Sequence, residues 1–96
     1  LKLDQLVKLV CENPVKIFGI QSKGFIKKDF DADFTIIDLE KITEIKNEKI
    51  ESKCGWSPFD GYKFKGTPTA TIINGNIKMK DGKIIGDPDG KPMKFK

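Results

Sequence analysis

Residues 70–84 read Ala70-Thr71-Ile72-Ile73-Asn74-Gly75-Asn76-Ile77-Lys78-Met79-Lys80-Asp81-Gly82-Lys83-Ile84. Asn-Gly and Asp-Gly are two-residue loops that demand positive φ, so this stretch predicts three antiparallel strands joined by two tight hairpins. With Asn74-Gly75 as the first loop, Ile73 faces Asn76, Ile72 faces Ile77 and Ala70 faces Met79. With Asp81-Gly82 as the second, Lys80 faces Lys83 and Met79 faces Ile84. Ala70, Ile72, Ile77, Met79 and Ile84 then share one face of a meander. Lys78, Lys80 and Lys83 go to the other face, where like charges need water.

Upstream, Phe34-Thr35-Ile36-Ile37 is a β-branched run flanked by aspartates, with apolar side chains on both faces. Residues 41–46 fit strand or helix and are read as strand. Phe25-Ile26 is a short strand, and Asp29–Asp33 a turn. Residues 47–61 contain Gly55, Pro58 and Gly61 without a clean period, which predicts a long connection. At the start, Leu3, Leu6, Val7 and Val10 fall at i, i+3, i+4 and i+7, the stripe of a helix over 4–12 with Asp4 as N-cap. Asn13-Pro14 stops it and begins one more short turn through Phe18, closed by Gly19. The class is α+β, mainly β. The tail, Gly86-Asp87-Pro88-Asp89-Gly90, is turn chemistry ahead of a lysine-rich end.

Composition excludes several functions. The chain of 96 residues has no histidine, so it cannot supply a His-containing zinc site, a Ser-His-Asp triad or a Cys-His pair. Cys11 and Cys54 stand far apart without the paired spacing of a thiolate metal site, and they read as reduced thiols. No apolar run reaches the roughly 20 residues needed to cross a bilayer, and no leader peptide precedes the first helix, which predicts a cytoplasmic, membrane-free protein. Leu1 in place of Met suggests a cut from a longer chain. All 18 basic residues are lysine. Residues 1–48 carry 8 Lys against 9 acidic side chains (−1), and residues 49–96 carry 10 against 5 (+5). Without arginine's planar fork this basic half reads as the wet face of a sheet rather than a nucleic-acid clamp. Gly82-Lys83 lacks the flanking residues of a phosphate loop. Asp29, Asp31 and Asp33 alternate like the opening of a calcium loop, but its later glycine and glutamate are missing.

Three segments, in order, resemble the C-terminal end of the dihydroorotases, within the cyclic amidohydrolases. The first is Asn13-Pro14-Val15-Lys16-Ile17-Phe18-Gly19. The second runs from Lys23-Gly24 to Asp31-Ala32-Asp33-Phe34-Thr35-Ile36-Ile37-Asp38. The third is Ser52-Lys53-Cys54-Gly55-Trp56-Ser57-Pro58-Phe59-Asp60-Gly61, followed by Lys65-Gly66-Thr67-Pro68 and Thr71-Ile72-Ile73-Asn74-Gly75. The family usually has glycine where this chain has Asp29, which leads one to expect a differently built turn there.

The resemblance implies a part of an enzyme of pyrimidine biosynthesis that interconverts N-carbamoyl-L-aspartate and dihydroorotate. In that family a metal-dependent barrel, with zinc as the implied metal, carries the chemistry. Its ligands lie upstream of the resembled segment, so no catalytic, cofactor-binding or metal residue is assigned to this chain. Residues 1–20 would be the last helical segment of the barrel region. Residues 21–96 would be the C-terminal part of a composite β-sandwich, completed by the enzyme's first strands. Trp56 and Phe59 would either anchor the module to the barrel or cap a local core. The implied partners are the barrel and the N-terminal strands. A homodimer of this chain burying Leu6, Val10 or Phe18 is a further expectation. Two other readings compete: a free-standing scaffold subunit that completes a separate barrel protein, and a basic β-module that binds single-stranded nucleic acid through Trp56, Phe59, Tyr62 and Phe64.

Overall fold

The computed structural model describes residues 2–96. It consists of a helical segment, an irregular connection, a four-stranded antiparallel sheet and an extended tail.

The helical segment is α1 (Leu3–Val7), a π-helical stretch (Lys8–Glu12) and α2 (Asn13–Phe18), and it runs through Asn13 without a stop. Two expectations are corrected here. The N-cap is Lys2, whose N–H donates to Gln5 Oε1 at 2.8 Å, and Asp4 sits inside the first turn, where its charge still suits the helix dipole. Asn13 is not a cap and the helix does not stop there, since Glu12 and Asn13 are both right-handed helical, but α2 does begin at Asn13 with Pro14 in its first turn. The widened stretch before it, in which the Asn13 N–H reaches back to the Lys8 carbonyl, accommodates a residue that cannot donate. Gly19 ends α2 in the left-handed conformation (φ 65°, ψ 34°), as its sequence position predicts.

Residues 19–33 contain no strand, so Phe25-Ile26 is not β. Phe25 instead packs edge-on against Phe30 at 6.5 Å, with Lys27 over its ring at 4.9 Å. Asp29 takes φ 67°. This is the left-handed backbone that glycine adopts without cost, and Asp is one of the few side chains that tolerate it. Asp29→Ala is expected to lower stability by about 1 kcal/mol while Asp29→Gly stays within roughly 0.5 kcal/mol of the parent, measured by urea unfolding.

The sheet order is β1 (Phe34–Glu44), β2 (Lys63–Ile73), β3 (Asn76–Lys80) and β4 (Lys83–Ile84). The run from Phe34 and the residues after Lys41 join in one strand, so strand is right for 41–44. Both tight loops form where predicted, with positive φ at Asn74, Gly75, Asp81 and Gly82. Ile73 pairs with Asn76, Ile72 with Ile77, Met79 with Ile84 and Lys80 with Lys83. The inferred pairing of Ala70 with Met79 is wrong by one residue. A bulge between Thr71 and Ile72 places Ala70 opposite Lys80 and leaves Lys78 without a ladder partner. A wider irregularity interrupts β1–β2, where Leu39, Glu40 and Lys41 stand against Gly66 alone. Asp38 Oδ1 accepts the N–H groups of Glu40 (3.0 Å) and Lys41 (3.2 Å), and Gly66 takes φ 96°. An insertion of this kind bends the strand that carries it.

Ala70, on central strand β2 and 9% exposed, is the one buried apolar residue among the described residues. The chain exposes 8016 Å², against about 5,500 Å² for a compact monomer of its mass. Its radius of gyration is 15.1 Å, where a compact chain of this length gives about 12.5 Å. Val10, Ile17 and Phe18 on the helical segment are 61%, 74% and 65% exposed. Among the described residues no helical Cα comes within 8 Å of a strand Cα. Apolar surface on this scale marks an interaction face.

Candidate functional site

The residues of the second motif converge. Gly24 lies against the helix with φ +87°, so close that a β-carbon there would overlap Val15 Cγ2 and sit 2.8 Å from the Cys11 carbonyl oxygen. This close approach aims Lys23 back across the connection. Lys23 Nζ lies 3.0 Å from Asp31 Oδ2 and 2.5 Å from Asp33 Oδ2. The other oxygen of Asp33 accepts the N–H of Asn74 at 2.9 Å. Gly75 N–H donates to the Ala32 carbonyl at 2.9 Å, and Asp31 N–H to the Ser22 carbonyl at 2.9 Å. The first hairpin tip is thus clipped to the Asp31–Asp33 turn, and that turn to the loop after the helix.

The electrostatics follow from these contacts. Hydrogen bonds to Asp33 first, and Asp31 second, hold the Lys23 ammonium above its ordinary pKa. Lys23, and then the Asn74 N–H, hold the Asp33 carboxyl below its own. Both groups stay charged across neutral pH, Lys23 between two carboxylates and Asp33 between Lys23 and the Asn74 N–H. The constellation acts as a clasp.

The same geometry tests the metal implied by the resemblance. The carboxylates of Asp31 and Asp33 face an ammonium, which repels a cation. Among the described residues no three His, Cys, Asp or Glu side chains converge. The Asp31 and Asp33 carboxylates, held by Lys23, do not fit a metal ion, nor the calcium loop their spacing suggests.

The third motif forms a tied loop between β1 and β2. Ile45 N–H donates to the Tyr62 carbonyl at 2.8 Å and Gly61 N–H to the Ile45 carbonyl at 2.7 Å, closing its neck. Asn47 then spans the interior, donating its N–H to Asp60 Oδ1 (2.8 Å) and accepting the Ser57 N–H on Oδ1 (2.9 Å). Phe59 packs edge-on against Tyr62 (5.8 Å) and Phe64 (6.2 Å), which makes it a local cap. The Tyr62 and Phe64 rings lie 6.1 Å apart and tilted by 33°, and all three aromatics stay about half exposed. Trp56 stays 60% exposed on the same loop. Cys54 is exposed beside Ser52 Oγ at 3.1 Å, a contact that lowers its thiol pKa, but no histidine exists to act as its base.

The family model of the amidohydrolases matches residues 1–78. The chain belongs to the amidohydrolase family. Among curated amidohydrolase relatives, it is 43% identical over 89 residues to a dihydroorotase of Pyrococcus furiosus, covering 93% of this chain and 21% of that protein. It is 38% identical over 85 residues to a dihydroorotase of Methanothermobacter thermautotrophicus, covering 88% and 20%. A solved L-hydantoinase from Arthrobacter aurescens superposes with a TM-score of 0.86 at 34% identity, covering 91% of this chain and 20% of that one. The chain therefore spans about a fifth of the length of the amidohydrolases it matches. The family likeness drawn from the three motifs holds, as does the mainly β architecture. Sequence reasoning quoted Lys23 and Asp33 only as motif letters and did not see the clasp.

Proposed function

We propose that this chain is the carboxy-terminal, non-catalytic portion of a dihydroorotase. The complete enzyme would reversibly hydrolyse the cyclic amide of dihydroorotate to N-carbamoyl-L-aspartate in pyrimidine biosynthesis. The identity to dihydroorotases over nearly the whole chain carries this reading, and the uncovered apolar surface supports it. Residues 1–20 close the barrel region and residues 21–96 contribute to the small β-sandwich beside it. Zinc, the catalytic side chains and the strands that complete the sandwich belong to the rest of the protein. No residue here is catalytic or metal-binding. The setting is cytoplasmic, in keeping with the fact that no helix among the described residues is long and apolar enough to cross a membrane. The faces carrying Leu6, Val10 and Phe18 meet the barrel or, in the isolated chain, a second copy.

The first test is activity. The isolated chain with added zinc is expected to give no ring opening of dihydroorotate, and the full-length protein to turn it over. Metal-dependent turnover by the isolated chain would refute the reading. The likeness to L-hydantoinase favours a second one, hydrolysis of a hydantoin ring by the complete protein. Offering the full-length protein both substrates separates the two. A preference for the hydantoin would replace dihydroorotase by hydantoinase and leave the supporting role of this chain unchanged.

A further inference from the structure

The tail after β4 does more than a lysine-rich end is expected to do. Lys78, displaced from the ladder by the bulge, turns its ammonium onto the tail, 2.9 Å from the Asp87 carbonyl oxygen and 3.1 Å from Asp89 Oδ2. Asn76 Nδ2 donates to the same carboxylate oxygen at 3.3 Å. Lys78 is thus a tethered residue, not the freely solvated lysine that strand alternation predicts.

Further on, the chain crosses to the end of the helical segment. Gln21 N–H donates to the Lys94 carbonyl at 2.8 Å and Lys96 N–H to the Gly19 carbonyl at 2.8 Å, around a bridge between Ile20 and Phe95. Among the described residues no helical Cα lies within 8 Å of a strand Cα, so this crossing is a second tie between them, alongside residues 19–33. Met93 and Phe95 remain half exposed, so little apolar burial holds the tail down.

We propose that residues 85–96 are an electrostatically latched strap. The Lys78–Asp89 pair is the latch at one end, and the Gly19–Gln21 clip is the far end. The strap opens as one unit while the sheet stays folded and the Lys23–Asp33 clasp still ties the helix end to the hairpin. A segment held by one half-buried ion pair, a side-chain hydrogen bond from Asn76 and a few backbone hydrogen bonds belongs to the less stable part of a fold, where subglobal opening is expected.

Native-state hydrogen exchange on the intact protein tests this at a distance from the latch. Lys78→Met and Asp89→Asn each remove the ion pair, the first keeping an apolar stem and the second keeping shape. Each is expected to speed exchange of the Gln21 and Lys96 amides about two- to five-fold, the range set by a surface ion pair, while the β1–β2 ladder amides keep their rates. In the unmutated protein, raising salt to about 1 M should do the same, because it screens the pair. Unchanged Gln21 exchange in both variants would overturn the proposal. So would ladder amides that accelerate together with Gln21, since the strap would then not open separately. If Lys78→Met fails to fold, Asp89→Asn and the salt series decide.

Discussion

Gly24→Ala is expected to destabilise the chain by about 3 kcal/mol, combining the left-handed backbone penalty with overpacking against the helix. The methyl group would overlap Val15 Cγ2 and meet the Cys11 carbonyl at 2.8 Å, and a backbone atom cannot rotate away. Gly55→Ala is the matched control. Gly55 also has positive φ (+66°), yet nothing lies within 4 Å of its missing β-carbon. It should therefore lose only the conformational part, about 1 kcal/mol. Urea midpoints followed by far-UV circular dichroism give both values. Equal losses would show that the helix yields to the added carbon, and that Gly24 is retained for its backbone angles alone.

Asp33→Ala is the second large effect, about 1–2 kcal/mol. It strips Lys23 of its shorter ion pair and leaves the Asn74 N–H without its acceptor. The pH dependence follows from the direction of the two shifts. Asp33 has its folded pKa below the ordinary 3.8, so its contribution is present above 3.8 and disappears as pH falls through the lower folded value. Lys23 is shifted above 10.5, so its contribution is present below 10.5 and disappears as pH rises beyond it. Stability should be flat between these limits where this clasp is concerned. Asp33→Asn should blunt the acid limb, and an acid limb of unchanged steepness in that variant would mean that other carboxylates set it.

The legible parts of this fold were those governed by short-range rules. Asn74-Gly75 and Asp81-Gly82 fix their own backbone, and so fix the register next to them. Gly19 caps its helix for the same reason. The register failed at Ala70 because a bulge inserts a residue without any special side chain to announce it. Phe25-Ile26 failed because two apolar residues in a row fit an aromatic cluster as well as a strand. Asn13-Pro14 failed as a stop because a π-turn can accept proline where an α-turn cannot. The clasp was out of reach for a different reason: Asp33 and Asn74 are 41 residues apart, and no local pattern reports on their meeting. The uncovered apolar faces, in contrast, could be anticipated from a helical stripe with no matching sheet surface to receive it.

The insertion opposite Gly66 bears on how this molecule melts. On one side of it lie Ala70, both hairpins and the clasp. On the other lie Phe59, Tyr62 and Phe64 with the tied loop. These are two small apolar clusters joined by a bent ribbon, so all-or-none cooperativity is not assured. The chain's single tryptophan and single tyrosine both fall in the second cluster's neighbourhood. Intrinsic fluorescence therefore watches one end only, and a thermal midpoint read from it should part company with one read from backbone dichroism.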